Sequence, residues 1–156
     1  MAAAKTRFLA SLGGFFLVAL DQFLKYAVRT HPENAFYLWR PWIGWEYFSN
    51  PGVAFGIKIP FPVIIILTPL FILFILNFIF QKNSASPSST IGLILILSGA
   101  ISNFIDRVLF AATIDYLRLA TAVINIGDIA IFSGALLLVL AKKRLDKSAD
   151  TPAPSS

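Results

Sequence analysis

Four long apolar stretches dominate the chain, at residues 8–28, 61–80, 91–112 and 123–141. A helix needs roughly 20 mostly apolar residues to span a bilayer, and each stretch meets that length. The second is free of charge. Pro62 suits its first turn, while Pro69 is internal and predicts a kink, with Thr68 placed to help satisfy the freed backbone groups. The third is interrupted by Asn103, Asp106 and Arg107. The pattern predicts an all-α membrane protein with four transmembrane helices, forming one domain over residues 1–147. The segment 148–156 is polar and proline-containing and is expected to be a disordered tail. The first stretch is too long for a cleavable leader and no small-x-small site follows it, so it reads as a retained span.

Four spans place both termini on one side. Lys5 and Arg7 precede the first span, Lys142, Lys143, Arg144 and Lys147 follow the last, and Lys82 lies in the second connection. Short basic flanks stay in the cytoplasm, which puts the termini and that connection there. The aromatics mark the other face. Trp39, Trp42, Trp45, Tyr37 and Tyr47 all lie within residues 29–60, and Tyr26 and Tyr116 flank the same side. Trp and Tyr favour the membrane interface, so an outer interfacial structure is expected. Asn50-Pro51-Gly52 reads as a turn, and alternation around Trp45 to Phe48 predicts short strands.

Composition narrows the classes further. Of 156 residues, 57% are hydrophobic and 13% charged, too apolar for a soluble domain and unlike a disordered chain. The absence of cysteine excludes disulfides, thiolate metal sites and a cysteine nucleophile in the protein itself, and the single histidine, His31, excludes a multi-histidine metal site. The net charge of +5 is scattered or sits beside apolar runs. It therefore favours membrane anchoring over a nucleic-acid patch.

Ionisable groups inside a bilayer are costly, at least ~2.5–3.5 kcal/mol each near its centre. At ~1.5 Å rise per residue, Asp21, Asp106 and Asp128 each lie roughly 20–22 Å from the cytoplasmic side. In a core ~30 Å thick they share one layer, some ~10 Å below the outer surface. Asp21 and Lys25 are four apart with the acid first, the favoured order for a pair. Gly99, Ser102, Asn103 and Asp106 share one helix face, with the two small residues reading as helix-packing positions. Asp106 reads equally as a structural group that pairs locally or caps the following loop. Asp115 lies on a returning segment and Asp128 opens the last helix, and neither has a basic residue at helical pairing distance.

Two carboxylates can share a proton. The ionised member then activates water while the protonated one polarises a carbonyl, because close approach prevents both from ionising together. Carboxylate pairs also serve proton-coupled transporters, and a small transporter is the alternative reading. Such transporters show repeat symmetry and broken helices, which this chain lacks.

Four ordered motifs then resemble the lipoprotein signal peptidase (signal peptidase II) family. They are Asp21-Gln22-x-x-Lys25, Asn50-x-Gly52-x-Ala54-Phe55-Gly56, Asn103-x-x-Asp106-Arg107 with Asp115 eight residues on, and Asn125-x-x-Asp128. The resemblance implies a membrane aspartic endopeptidase of the bacterial inner membrane with Asp115 and Asp128 as catalytic dyad. It implies that Asn50, Asn103, Arg107 and Asn125 bind substrate or hold the dyad. Asp21, Lys25, Gly52 and Asp106 give structural support. The implied substrate is a diacylglyceryl-modified prolipoprotein, cut just before the lipidated cysteine. No cofactor or metal is needed, the partners are substrate and membrane lipid, and a monomer is expected. A small outer β-structure and a mobile outer segment are also implied. The chain departs from the family pattern at Ser98, Ser102, Tyr116, Ile124 and Gly127, where glycine, glycine, phenylalanine, phenylalanine and alanine are usual. The segment between the two aspartates also looks short. These departures bear on helix packing and pocket shape more than on the reaction.

Overall fold

The computed structural model describes residues 2–52, 59–80 and 86–149. Among these, the elements run α1 (Ala2–Thr30), β1 (Phe36–Trp39), β2 (Ile43–Asn50), α2 (Phe61–Phe80), α3 (Pro87–Phe110), β3 (Thr113–Leu119), β4 (Ala122–Ile124) and α4 (Ile126–Ala149). The chain is mostly helical. Three of its helices, α1, α2 and α3, are long and apolar enough to cross a membrane. The apolar run of α4 lies between Asp128 at its start and Lys142 and Lys143 near its end.

Helix α1 is arranged inside out relative to a soluble helix. Phe8, Phe15, Phe16, Leu20 and Phe23 are exposed, whereas Gly14, Asp21, Lys25 and Val28 are buried. The buried positions recur at spacings of seven, four and three, which is one helix face. Polar groups that face inward and apolar ones that face outward fit a hydrocarbon surround.

Helix α3 is the hub, packed against α1, α2 and α4. Its start is set by Ser86, whose side chain accepts from the Ser89 amide, and by Pro87 in the first turn. Gly99 lies against the Gly127 carbonyl, and Gly92 and Gly134 oppose each other, so a Cβ at these sites would collide with the facing backbone. Close backbone approach of this kind is how membrane helices pack. The Ser98 departure is accommodated from the opposite side. Gly14 of α1 faces its hydroxyl, and that hydroxyl donates to the Ile94 carbonyl at 2.8 Å.

Helix α3 ends at Phe110, two residues earlier than the apolar pattern predicts. Ala111 takes a left-handed conformation with φ 56° and its amide bonds the Arg107 carbonyl, which turns the chain back into β3. The fourth apolar stretch also begins differently, because residues 122–124 form β4 and the helix starts at Ile126. The short segment between the aspartates is thus a β3–β4 hairpin leading into α4. The sheet is antiparallel in the order β1-β2-β3-β4, with Phe48 opposite Asp115 and Asn50 opposite Thr113. Beneath it Val28, Ile114 and Tyr116 form a small core on which Trp45 packs, with its ring 4.9 Å from that of Tyr116. A second core joins α2 and α3 through Ile75, Ile79, Leu93, Ile94 and Ile96.

In α2 the Thr68 hydroxyl bonds the Ile64 carbonyl at 2.8 Å. Pro69 frees the carbonyl of Ile65 instead, so Thr68 does not take up the group expected of it. The backbone of α4 runs on to Ala149, so Ser148 and Ala149 continue the helix where the tail is expected to begin. Residues 150–156 lie outside the described residues. So do 53–58, with Ala54, Phe55 and Gly56 of the second motif, and 81–85, with Lys82.

Candidate active site

Helices α1 and α3 meet through Lys25. Its ammonium lies 2.9 Å from Asp21 Oδ2 and 2.9 Å from Asp106 Oδ2, and it donates to Asn103 Oδ1 at 2.9 Å. Lys25, Asp21 and Asp106 are all essentially fully buried. Each buried ion costs several kcal/mol in desolvation, so it must be met by partners. Asp106 is met on both oxygens: Oδ1 accepts from Gln22 at 3.0 Å and Oδ2 from the Ile114 amide at 3.0 Å. The aspartate therefore fixes the first residues of β3, on the strand that carries Asp115.

Two of the departures converge on Asp21. Ser102 Oγ donates to Asp21 Oδ2 at 2.6 Å, and the Tyr116 hydroxyl donates to Asp21 Oδ1 at 2.6 Å. The same hydroxyl accepts from the Ile126 amide at 3.1 Å, which ties β3 to the start of α4. Ser102 is thus a hydrogen-bonding group as well as a small residue at a packing face. Hydrogen bonds to a charged group contribute about 1.5–3 kcal/mol. Ser102→Gly and Tyr116→Phe are each expected to destabilise the protein by about that amount. They share the carboxylate, so a double-mutant cycle read by thermal unfolding should give a non-additive result. Strict additivity would show that the two hydroxyls act separately.

The second cluster holds Asp115 and Asp128. Side chains of cross-strand partners share a sheet face, so Phe48, Asn50, Thr113 and Asp115 point the same way. The Asn50 amide donates to Asp115 Oδ2 at 3.0 Å, while its own Oδ1 accepts from the Gly52 amide at 3.0 Å and so fixes its orientation. Asn125 donates to Asp115 Oδ1 at 2.5 Å. Asn125 also caps α4, immediately before Ile126. Its Oδ1 accepts from the Asp128 amide at 2.9 Å, and Asp128 Oδ2 returns to the Asn125 amide at 3.4 Å. The spacing Asn125-x-x-Asp128 is therefore a reciprocal cap on the helix. The remaining oxygen, Asp128 Oδ1, accepts from Asn103 at 2.8 Å. Lys25 holds the Asn103 carbonyl, which turns its NH₂ toward Asp128.

Each carboxylate thus has one donor on each oxygen, and Asn125 touches both. Burial pushes Asp115 up to about 7, reinforced by the charge of Asp128 and opposed by the bonds from Asn50 and Asn125. Arg107 is half-buried in the field of Asp128, Asp115 and Asp106. Asn50, Asn103, Asn125, Asp115 and Asp128 are gathered in one place, Asp21, Lys25 and Asp106 in another, and Asn103 joins the two. The sequence does not single out Gln22, Ser102 and Tyr116 as members of the buried network. Nor does it single out Thr113, whose Oγ1 is the one buried polar side-chain atom among the described residues with no hydrogen-bond partner. The only signal for Thr113 is its place two residues before Asp115, which puts both on one strand face.

Comparison with known proteins places this architecture. The family model described as signal peptidase (SPase) II matches residues 14–143. The lipoprotein signal peptidase of Chlorobium phaeobacteroides (strain BS1) is 34% identical over 142 aligned positions, covering 80% of this chain and 89% of that protein. That of Bartonella bacilliformis is 32% identical over 167 positions, covering 92% and 98%. A solved bacterial membrane enzyme, at 23% identity, shares the fold with a TM-score of 0.82 over 97% of this chain and 95% of its own. The chain belongs to the signal peptidase II family, and is an aspartic peptidase of a bacterial membrane. Nothing in these comparisons favours a transporter.

Proposed function

We propose that Asp115 and Asp128 are the catalytic dyad, and that the substrate is a diacylglyceryl-modified prolipoprotein cut just before its lipidated cysteine. The observation that carries this reading is the convergence of both carboxylates on Asn125, with four donors divided evenly between them. The pair holds one proton. Its ionised member takes a proton from water as the water oxygen attacks the scissile carbonyl carbon, and its protonated member hydrogen-bonds the carbonyl oxygen. The tetrahedral intermediate collapses when the leaving amine takes a proton from the dyad. Asn50, Asn103 and Asn125 hold the carboxylates, with Gly52 fixing Asn50. Arg107 supplies a planar fork to substrate carbonyls. Thr113 offers a hydroxyl on the same face. Asp21, Lys25 and Asp106 support the site from behind.

Purified protein is expected to cleave a lipidated prolipoprotein with a metal chelator present. Activity should decline as the pH rises through about 7, where the dyad loses the proton it needs. Abolition by the chelator, or an undiminished rate well above that pH, would contradict the dyad.

The same reading takes α4 as a fourth span, with the protein monomeric in the inner membrane, embedded in lipid, and both termini in the cytoplasm. The flanking basic residues and the outer aromatics support it. Because the chain has no cysteine, single-cysteine variants can be labelled without background. Cysteines at positions 5 and 147 should react only from the cytoplasmic side, and one at position 42 only from outside. Outward labelling at position 147 would overturn the topology.

A further inference from the structure

Helix α2 packs on α3, and so does α1, which leaves a furrow between them. It has a volume of about 410 Å³ and is lined by Arg7, Ser11 and Val18 of α1, Leu76 and Phe80 of α2, and Leu97 of α3. Its walls are mostly apolar; besides Arg7 and Ser11 the lining has one polar residue, Ser98, whose hydroxyl is taken up by the Ile94 carbonyl. From Arg7 to Val18 is 11 residues of helix, or roughly 16 Å, about half of a ~30 Å hydrocarbon core. The furrow is therefore one leaflet deep, with a cation at its mouth.

We propose that this furrow binds one anionic phospholipid, with its phosphate on the Arg7 guanidinium and an acyl chain lying along α1 as far as Val18. Three observations select this occupant. First, Arg7 has no ion-pair partner among the residues whose side chains are described, which leave out 144–149, and the first turn of α1 has no acidic residue. A charge at the edge of the hydrocarbon needs a counterion, and a guanidinium matches a phosphate at two points. Second, a furrow that opens toward lipid at this depth has no water to fill it, so an acyl chain is the natural filler. Third, the charge disfavours the competing occupants. The leading end of a signal peptide is basic and would meet Arg7 with Lys5 beside it. A second copy of α1 would bring the same two cations.

The test is native mass spectrometry of the full chain in a neutral detergent, with phosphatidylglycerol and phosphatidylcholine of identical acyl chains supplied at equal concentration. The wild type should retain one phosphatidylglycerol in preference to phosphatidylcholine. Arg7→Gln should lower that preference about five-fold, the worth of one cation at a lipid headgroup, with a smaller loss of phosphatidylcholine, whose phosphate is offset by its own choline cation. Ser11→Phe, which fills the furrow from an exposed lining position, should lower retention of both lipids while the helical circular dichroism stays that of the wild type. Equal retention of the two lipids by the wild type would overturn the proposal, as would an unchanged preference in Arg7→Gln. Displacement of the lipid by a signal-peptide helix, or by dimer formation, would assign the furrow to a protein helix instead.

Discussion

Asp115→Asn and Asp128→Asn are each expected to lower cleavage of a lipidated prolipoprotein on the order of 10²–10⁴-fold, the range for loss of a positioned acid or base. Both variants should still fold. An amide keeps the carboxylate's size, and its oxygen still accepts from one of the two donors that each aspartate now has. The donor left over at Asp115 comes from Asn50 or Asn125, and at Asp128 from Asn103 or the Asn125 backbone. One unsatisfied donor costs about 1–3 kcal/mol, so a modest fall in thermal stability accompanies a large fall in rate. Asp21→Asn should behave in the opposite sense. It leaves the buried Lys25 with one carboxylate fewer and weakens the anchoring of Ser102 and Tyr116, so stability should fall first and activity only with it. Activity and thermal unfolding measured on all three proteins separate the cases. Turnover within tenfold of the wild type by either dyad variant would remove that aspartate from the chemistry.

The contrast explains which parts of this molecule can be read from its residues. Charge inside an apolar run is visible because a bilayer makes it costly, so Asp21, Asp106 and Asp128 stand out, and their common depth follows from helix rise alone. What such arithmetic cannot give is partners. Lys25 four residues after Asp21 is a local relation, but its equal distance to Asp106 depends on how α1 and α3 dock. Ser102 looks like a spacer for the same reason, since its bond to Asp21 spans two helices. The strands β3 and β4 are hidden by their neighbours in sequence. Thr113, Ile114, Asp115 and Tyr116 alternate polar and apolar, but all four are inside, and so short a run beside an apolar stretch reads only as a returning segment. Val123 and Ile124 of β4 run straight into the apolar stretch of α4 and read as its start. Asn125-x-x-Asp128 is legible as a motif yet carries two meanings at one spacing. The interval that caps a helix also puts the carboxylate on the first turn, facing Asn103.

A precursor that carries its lipid should be cut, and the same polypeptide without lipid should lose on the order of 100-fold or more in kcat/KM, the penalty that misplacement of about 1 Å can impose. The argument is one of depth. Asp115 sits on a strand and Asp128 in the first turn of a helix, each held by at least one donor from another element, so the proposed dyad is fixed in the frame of the protein. A peptide in the bilayer has no such frame and can slide along the membrane normal. Each buried methylene of an acyl chain contributes about 0.8 kcal/mol, so a diacylglyceryl group holds its cysteine at one level in the outer leaflet. The exposed Trp39 and Trp42 beside the sheet are suited to that interface, and they hold the enzyme at a matching level. Lipid on the substrate and tryptophan on the enzyme therefore bring the scissile bond and the two carboxylates to one height, and neither alone does so. The measurement is kcat/KM for both precursors in the same bilayer. Replacement of Trp39 and Trp42 by alanine should weaken cleavage of the lipidated form and leave the slow cleavage of the bare form unchanged. Comparable values for the two precursors would mean that peptide sequence alone sets the position of the bond, and the lipid would then have no part in selecting it.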